Sequence, residues 1–576
     1  MARAVTALVV AALAAGPVAG AAGPAAPAPP PAAIPQSPAA WRERVLELGA
    51  KGRLTADLLA AFRAYAAATA REKLVPQHVP EAFWDRAAAD KVFGDGLLVE
   101  LHPKYEPGIA AALKALQDHA GKKLDTHKHL ALAFAVVYGR GGKAGVLDPH
   151  LRGRYFGAGR TAPSPEESFD YYLKYERAMK MPPAAAPWPL LCYVADNDAP
   201  IAEREWALAR YAKAAAWGRI YYDVPYDTSR VSGSGRLGDL PYTLPNIQSH
   251  GGVCMERAYF SSRVLKSLGV PALFTAGEGK RGGHAWVSWV ALRGRQVDLQ
   301  DAGRFDFDKY YRGVTFCPMT RGRVLDREVA LLGAAMAHSY AGWIDARLAC
   351  HVYDLFQGDG RRAAAGVLQD AVNRNPYHAG TWRRLADAVA EGVLAQRQGE
   401  QAYDLMLRHF GTQPDLTFEV LQKILSPRLT AGEGTPAAEV TRNLSILEKA
   451  FQIYEKAKRP DLAVMLRRFQ GEYLEAVGRK DAALRLYVVA SEQYAAEHYG
   501  FLDLFDRAMA LMTDEAMRLK YLAIMAEKVP EYGGDFNRQF KQRNAAFTHV
   551  VRAYVEALQA GGKSAEAAKW EARLKA

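Results

Sequence analysis

The stretch from Leu244 to Asp308 constrains the fold more than any other part of the chain, because one helical pattern is followed by two strand patterns. Gly251-Gly252 precede a segment with small and apolar residues at helical spacing, and Gly269 is a natural helix stop. The residues on this stripe are Ala258, Ser262, Leu265 and Leu268. An aromatic-rich strand pattern then begins at His284, and Arg293-Gly294 is typical of a hairpin turn. We therefore predict a helix followed by two strands.

Three reactive side chains lie on these elements. Cys254 is in the first turn of the predicted helix, His284 opens the first strand and Asp301 lies on the next strand. The dipole and unpaired N–H groups of a helix start favour a thiolate, and the paired glycines leave room for a substrate backbone. In this order, the three residue types suit a nucleophile, its base and the group that orients the base.

The expected register of the hairpin ranks the acidic residues. If the turn pairs Leu292 with Arg295, Asp301 falls on the same face as His284, two residues away along the strands. Asp298 then falls on the opposite face. A turn one residue longer or shorter would exchange the two, so Asp298 is the alternative orienting residue.

Three short motifs resemble the transglutaminase-like branch of the papain-type cysteine enzymes. They are Gly252-Val-Cys254 at the helix start, Leu268-Gly-Val-Pro271 at its exit and His284-Ala-Trp286. The resemblance implies an α+β fold with a papain/transglutaminase-like core, in which a helix packs on an antiparallel sheet. It also implies Cys254 as nucleophile, His284 as base and Asp301 as orienting residue. The family usually has Asp-Pro at the last position, where this chain has Asp301-Ala302.

The papain-like relatives also suggest the donors that would stabilise an oxyanion. These are the side chain of Gln248, a little before the nucleophile, and the backbone N–H of Cys254. His250 lies closer to Cys254 in the sequence. We interpret it as a bystander, because His284 already fills the histidine position of the family.

The implied chemistry is thiol acyl transfer at an amide bond of a protein or peptide substrate, without a metal ion or an organic cofactor. Water as the acceptor would make the protein a peptidase or amidase, and we favour this outcome because water is always present. A lysine amine as the acceptor would make it a protein cross-linking transglutaminase. The alternative outside the enzymes is a non-catalytic scaffold that binds cell-envelope partners through helical repeats.

The N-terminus is typical of an exported protein. Residues 1–21 resemble a signal peptide, with Arg3 as the positive start, an apolar core over Val5–Ala15 and a cleavage site at Ala19-Gly-Ala21. Residues 22–40 are an Ala/Pro-rich linker. We expect a secreted or periplasmic protein without an integral membrane span in the mature chain. The alternative is membrane tethering by an uncleaved N-terminal segment.

The remaining residues favour three regions. Helical spacing covers 41–155, the transglutaminase-like segment covers 156–330, and amphipathic helical segments follow over 331–576. Within the last region, residues 471–487 resemble a tetratricopeptide-type helix pair, and the irregular period leaves a plain helical bundle as the alternative. Repeat arrays of this kind bind protein partners.

Charge and cysteine content argue against two other classes of protein. The net charge of +12 is spread over 576 residues, and no dense basic run contains interleaved aromatic residues. Nucleic-acid binding is therefore not expected. Four cysteines in an exported chain of this length are too few for a fold built on disulfides.

Overall fold

The computed structural model describes residues 37–575, apart from gaps at 141–162, 230–233, 239, 280–281, 294–295, 306–308, 411–412, 430–431, 433, 498–499, 534–537 and 539–542. The predicted signal peptide (1–21), most of the predicted linker and the predicted boundary at 155 lie outside the described residues. Within them, the protein is a mixed α+β structure with many helices and one five-stranded sheet.

The N-terminal part of the described chain is helical. It contains α1 (Pro38–Gly49), α2 (Ala56–Leu74), α3 (Glu81–Ala89), α4 (Lys91–Leu101), α5 (Pro107–Ala120) and α6 (Lys128–Gly139). The first helix begins inside the predicted linker (22–40), earlier than expected. Ser37 caps it through its side-chain oxygen, which accepts from the Ala40 N–H at 3.3 Å, and Pro38 suits the first helical position.

The middle of the chain contains more helices and the sheet. The helices are α7 (Pro165–Tyr175), α8 (Trp188–Ala195), α9 (Ile201–Tyr211), α10 (Leu244–His250) and α11 (Cys254–Ser267). The strands are β1 (Ala272–Gly279), β2 (Gly282–Arg293), β3 (Gln296–Ala302), β4 (Val314–Phe316) and β5 (Arg323–Leu325). They lie in the order β3-β2-β1-β4-β5, and the pairs β2–β3, β1–β4 and β4–β5 are antiparallel.

The remaining described elements are helices. They are α12 (Asp326–Asp354), α13 (Asp359–Arg374), α14 (Ala379–Ala390), α15 (Gln396–Phe410), α16 (Pro414–Leu429), α17 (Ala437–Lys456), α18 (Pro460–Ala476), α19 (Lys480–Gln493), α20 (Phe501–Leu511), α21 (Glu515–Lys528), α22 (Ala545–Ala560) and α23 (Ser564–Lys575).

The chain divides into two compact units. The sheet unit contains residues up to 277, 284–304 and 312–399, and the C-terminal helical unit contains 278–283, 305–311 and 400 onward. The boundary predicted at 331 lies within the sheet unit, which includes α12 to α14. The reason is that α12 packs on β3, with Gly333 directly against the side chain of Val297.

The predicted helix at Cys254 is present as α11, which packs on the sheet. The core between them is apolar and is formed by residues including Ala258, Phe260, Leu265, Phe274, Ala285, Val287 and Trp289. The helix ends as predicted at Gly269, which has a φ of +77°. The Gly269 N–H donates to the Lys266 carbonyl and the Val270 N–H to the Leu265 carbonyl, a Schellman ending.

The register of the β2–β3 hairpin differs from the predicted one. Leu292 pairs with Val297 and Arg293 with Gln296, so Arg293 belongs to the strand and not to the turn. Asp301 consequently opposes Ser288, on the face of His284 but roughly 13 Å from the position opposite His284. The predicted face of Asp301 is confirmed, whereas its predicted distance of two residues from His284 was wrong.

The C-terminal helical unit contains the helix pair predicted at 471–487. Gly471 of α18 lies directly against the ring of Tyr487 of α19, and the Tyr487 hydroxyl donates to Glu475 at 2.7 Å. A small residue therefore allows two helices to approach where a large one fills the space between them. In the described part of the chain, no helix combines the length and apolar character needed to cross a membrane.

Candidate active site

Cys254 is the first residue of α11 and is half-buried. Glu256, one turn into the helix, is fully buried, and its carboxylate accepts from the Val253 N–H at 2.9 Å, which satisfies one donor of the helix start. The backbone N–H groups of Ala285, Met255 and Cys254 lie close enough to the Cys254 sulfur to lower the pKa of its thiol. Because Ala285 follows His284, the thiol lies beside the start of β2.

Burial raises the pKa of the Cys254 thiol. The three N–H groups lower it, with the largest contribution from Ala285, and the negative charge of Glu256 raises it. The net effect is a raised pKa, although the helix start alone favours a thiolate. In the resting protein the thiol is therefore mostly protonated.

The His284 ring is held by a backbone carbonyl. Its Nε2 lies 2.6 Å from the carbonyl oxygen of Gly303, and a carbonyl can only accept a hydrogen bond. Nε2 therefore carries the proton in the neutral ring, and Nδ1 is the basic nitrogen. The carbonyl of Gly303 thus holds His284 in one tautomer, as an orienting group must.

The pKa of His284 is lowered. Burial of the ring is the largest cause, the Gly303 carbonyl opposes it, and the positive charge of Arg257 lowers the pKa further. The directions for Cys254 and His284 agree, since both favour the neutral forms. These directions favour a neutral thiol and a neutral imidazole, whereas the position of Cys254 at a helix start predicts a thiolate.

Tyr221 positions both the strand and the turn around His284. Its hydroxyl donates to the carbonyl of Ala285 at 2.9 Å, and its side chain is buried. Gly303, which has a φ of +86°, lies directly against its ring. The sequence did not single out Tyr221 or Gly303, because their roles depend on backbone carbonyls that no side-chain pattern reveals.

Asp301 lies in a separate ionic cluster. Its carboxylate is 3.8 Å from Arg304, and Arg304 also donates to Asp326 at 2.9 Å. The Arg304 guanidinium stacks over the Trp286 ring at 5.0 Å, and the Trp286 ring is in turn stacked beside His284, with ring centres 6.2 Å apart. The described contacts therefore link Asp301 to His284 through Arg304 and Trp286.

Asp298, the alternative orienting residue, is exposed. It opposes Ala291 on the face of the hairpin away from His284, and its carboxylate accepts from Gln300 at 2.7 Å. Its position on the opposite face argues against Asp298 as the group that orients His284.

Gln248 lies on α10 with its amide against Arg210 of α9. With its oxygen turned toward Arg210, the amide accepts from Nη2 at 2.8 Å and from Nε at 3.2 Å. This orientation leaves the amide NH₂ to act as a donor. The oxyanion role of Gln248 stays a prediction.

The other cysteines lie in different surroundings. Cys192, Cys317 and Cys350 are buried, and all four cysteines are free thiols. Burial also raises the pKa of Cys192 and Cys350. Cys254 is thus the cysteine with the most accessible side chain.

Compared with models of protein families, with curated proteins and with solved structures, the chain matches none of them. Its function must therefore be inferred from the site itself.

Proposed function

We propose that the protein is an extracytoplasmic cysteine enzyme that transfers acyl groups from amide bonds, with water as the preferred acceptor and a papain/transglutaminase-like core. The observation that carries this proposal is that Cys254, at the start of α11, lies near the backbone of Ala285, the residue after His284, whose ring is held at Nε2 by the Gly303 carbonyl. A nucleophile, an oriented base and backbone donors are the parts that such a reaction needs.

The first half-reaction cleaves the amide. Nδ1 of His284 takes the proton of the Cys254 thiol as the sulfur attacks the carbonyl carbon, so that the pair becomes charged only during the reaction. The N–H groups near the sulfur stabilise the negative oxygen of the tetrahedral intermediate. His284 then returns the proton to the leaving amine, and a thioester remains on Cys254.

The second half-reaction releases the product. His284 removes a proton from water, the resulting oxygen nucleophile attacks the thioester, and the proton returns to the sulfur as the carboxylic acid leaves. A lysine amine in place of water would give a cross-link. The Gly303 carbonyl keeps the imidazole ring in position through both halves, while the contact of Trp286 with Arg304 supports the ring from the side of Asp301.

Selective alkylation tests the pair directly. We would label the mature protein with iodoacetamide at pH 8 and measure the rate at each cysteine by peptide mass spectrometry. We expect Cys254 to react fastest and His284→Ala to slow it about ten-fold or more, because the general base is lost. His250→Ala is the matched control, since His250 is close in sequence and bonds the Asn246 carbonyl at 3.1 Å. It should leave the rate unchanged.

The opposite result has a clear meaning. If Cys254 reacts no faster than Cys192, Cys317 and Cys350, or if its rate is indifferent to His284, the pair is not catalytic. The scaffold alternative would then be favoured.

A further inference from the structure

Arg257 lies one turn after Cys254 on α11, and residues three apart share a helix face. Its guanidinium carbon is surrounded by three tyrosine rings, at 5.0 Å from the centre of Tyr226, 5.7 Å from Tyr221 and 6.0 Å from Tyr222. We call Arg257 and these three residues the arginine–tyrosine cluster.

The backbone places this cluster beside the sulfur. The Asp227 N–H donates to the carbonyl of Gly252 and the Gly252 N–H to the carbonyl of Pro225, both at 3.0 Å. Tyr226 is thereby aligned with the residues that precede Cys254. The pKa of Tyr226 is raised by burial first and then by the negative charge of the Cys254 thiolate, which is consistent with this proximity.

The charge of Arg257 is not matched by an acidic group. Among the described residues, its guanidinium makes no ion pair and donates no hydrogen bond, and its Nε is buried without a partner. The nearest carboxylates along the chain are engaged elsewhere. Glu256 accepts from Val253, and Asp227 accepts from Ser229 and from the Arg236 N–H. A partly buried cation without such a partner is costly to keep.

Other buried arginines of the sheet unit have partners. Arg263 donates to Asp198 at 2.5 Å, Arg304 donates to Asp326, and Arg204 donates to backbone carbonyls. Each of these guanidinium groups therefore donates to at least one oxygen, and only single nitrogens of Arg204 and Arg263 are buried without a partner. Arg257 is different, and it is also the arginine one turn from the nucleophile.

The cluster opens to solvent through two of its rings. Tyr222 is 52% exposed and Tyr226 is 49% exposed, and in the described part of the chain they are the exposed large aromatic side chains. Aromatic rings of this kind, with an arginine between them, are typical of binding surfaces.

We propose that the arginine–tyrosine cluster is a substrate subsite, in which Arg257 binds a carboxylate close to the scissile amide while Tyr222 and Tyr226 cover its sides. This inference rests on the proposed function and adds a substrate class, that of acidic peptides. The carboxylate belongs either to an acidic side chain or to a terminal residue, since both present the same group. A guanidinium matches both oxygens of a carboxylate, and the rings favour its planar stacked form.

Paired alkylating probes test the subsite. We would compare three probes. N-iodoacetyl-glycinamide is neutral, and N-iodoacetyl-glycine has a terminal carboxylate. N-iodoacetyl-glutamic acid α-amide has a carboxylate only on its side chain. In each case the Cys254 sulfur displaces iodide and forms a carbon–sulfur bond. We expect one of the acidic probes to label Cys254 about ten-fold faster than the neutral one, and the probe that does so identifies the source of the carboxylate.

Variants assign the preference to Arg257. Arg257→Gln should bring the ratio of acidic to neutral rates close to one, and Arg257→Lys should restore part of it, because lysine keeps the charge without the planar fork. Arg219→Gln is the control, because it removes the same charge from an exposed position in the short helical turn Trp217–Tyr221, just before Tyr222. It should keep the ratio of the wild type.

The wild-type ratio alone decides the matter if Arg257→Gln fails to fold. A ratio near one for both acidic probes overturns the subsite, and so does a preference that survives Arg257→Gln. Failure of the proposed function has a different signature. The wild type and His284→Ala would then label Cys254 at equal rates with the neutral probe, whereas the ratio of acidic to neutral rates would still report on Arg257.

Discussion

Gly303 lies so closely against the ring of Tyr221 that a methyl group on Gly303 would overlap the ring atoms. Both residues act through the backbone around His284, since the Gly303 carbonyl receives His284 Nε2 and the Tyr221 hydroxyl donates to the Ala285 carbonyl. The position of the proposed base therefore depends on a contact between a glycine and a tyrosine.

Gly303→Ala should separate these residues and misplace the histidine. The φ of +86° also disfavours any side chain. We expect the rate of Cys254 alkylation by iodoacetamide at pH 8 to fall about ten-fold, to the level of His284→Ala, because general-base help needs correct geometry. Gly392→Ala is the control, since Gly392 also has a positive φ (+72°) and nothing within 4 Å of an added methyl group. Equal rates in Gly303→Ala and the wild type would show that the carbonyl does not position His284.

The alkylation rate of Cys254 should increase mainly at high pH. Burial raises the pKa of the thiol above its ordinary value of 9.0, so the thiolate forms only at higher pH. We expect a rate with iodoacetamide that is still increasing at pH 9. Glu256→Gln should move the profile to lower pH, because it removes a negative charge near the sulfur and keeps an oxygen for the Val253 N–H. A plateau below pH 7 would instead indicate a resting ion pair with His284.

Breaking the ion pair between Asp198 and Arg263 should destabilise the sheet unit. Both side chains are buried, and Arg263 keeps its charge after Asp198→Asn. We expect a loss of about 3 kcal/mol in the free energy of unfolding, measured with urea, because removal of one partner leaves a buried charge uncompensated. The control is Glu205→Gln, whose carboxylate pairs with Lys174 at the surface. A change as small as that of the control would contradict the prediction.

The protein should lose stability below pH 6.5 because of buried histidines. Burial lowers the pKa of His102 to about 4 and that of His351 to about 2. In the unfolded chain these rings gain protons near pH 6.5, whereas in the folded protein they stay neutral, so the free energy of unfolding falls as the pH falls from 6.5 toward 4. Each ring contributes up to about 1.4 kcal/mol per pH unit in this range.

Urea unfolding of the wild type at pH 7 and pH 5 measures this loss. His351→Gln should reduce the difference between the two values by about one ring's share, and His119→Gln, at an exposed position, is the control. A difference that is the same in the wild type and His351→Gln would rule out the contribution of His351.

The elements around the site follow from local patterns. The spacing of apolar residues and the glycine at 269 predicted α11, and the same helix packs on the sheet through Ala258 and Leu265. The register of the hairpin was harder to predict from the sequence, because a strand can extend by one residue without any change in its alternation of apolar and polar residues. Arg293 is paired in β2, and Asp301 moves along the strands as a result.

Tertiary contacts explain what the sequence could not reveal. The orienting Gly303 carbonyl belongs to the backbone, which every residue has, so no residue type marks it. Tyr221 is one of many tyrosines until the fold brings it to Ala285. The packing of α12 could not be predicted for a similar reason. Its amphipathic pattern does not tell which surface covers it, and Gly333 packs on Val297 of the sheet.

The helix α11 has the proposed nucleophile at one end and buried ionic anchors at the other. Arg263 donates to Asp198 and Lys266 donates to Asp196, so the loop Asp196-Asn-Asp198 binds the C-terminal half of the helix. A mutational screen scored on activity would therefore find these aspartates among its strongest hits and suggest a second set of acidic catalytic groups. Assays at reduced temperature would separate the two kinds of hit, because variants of the anchors would recover with the fold and variants of Cys254 would not.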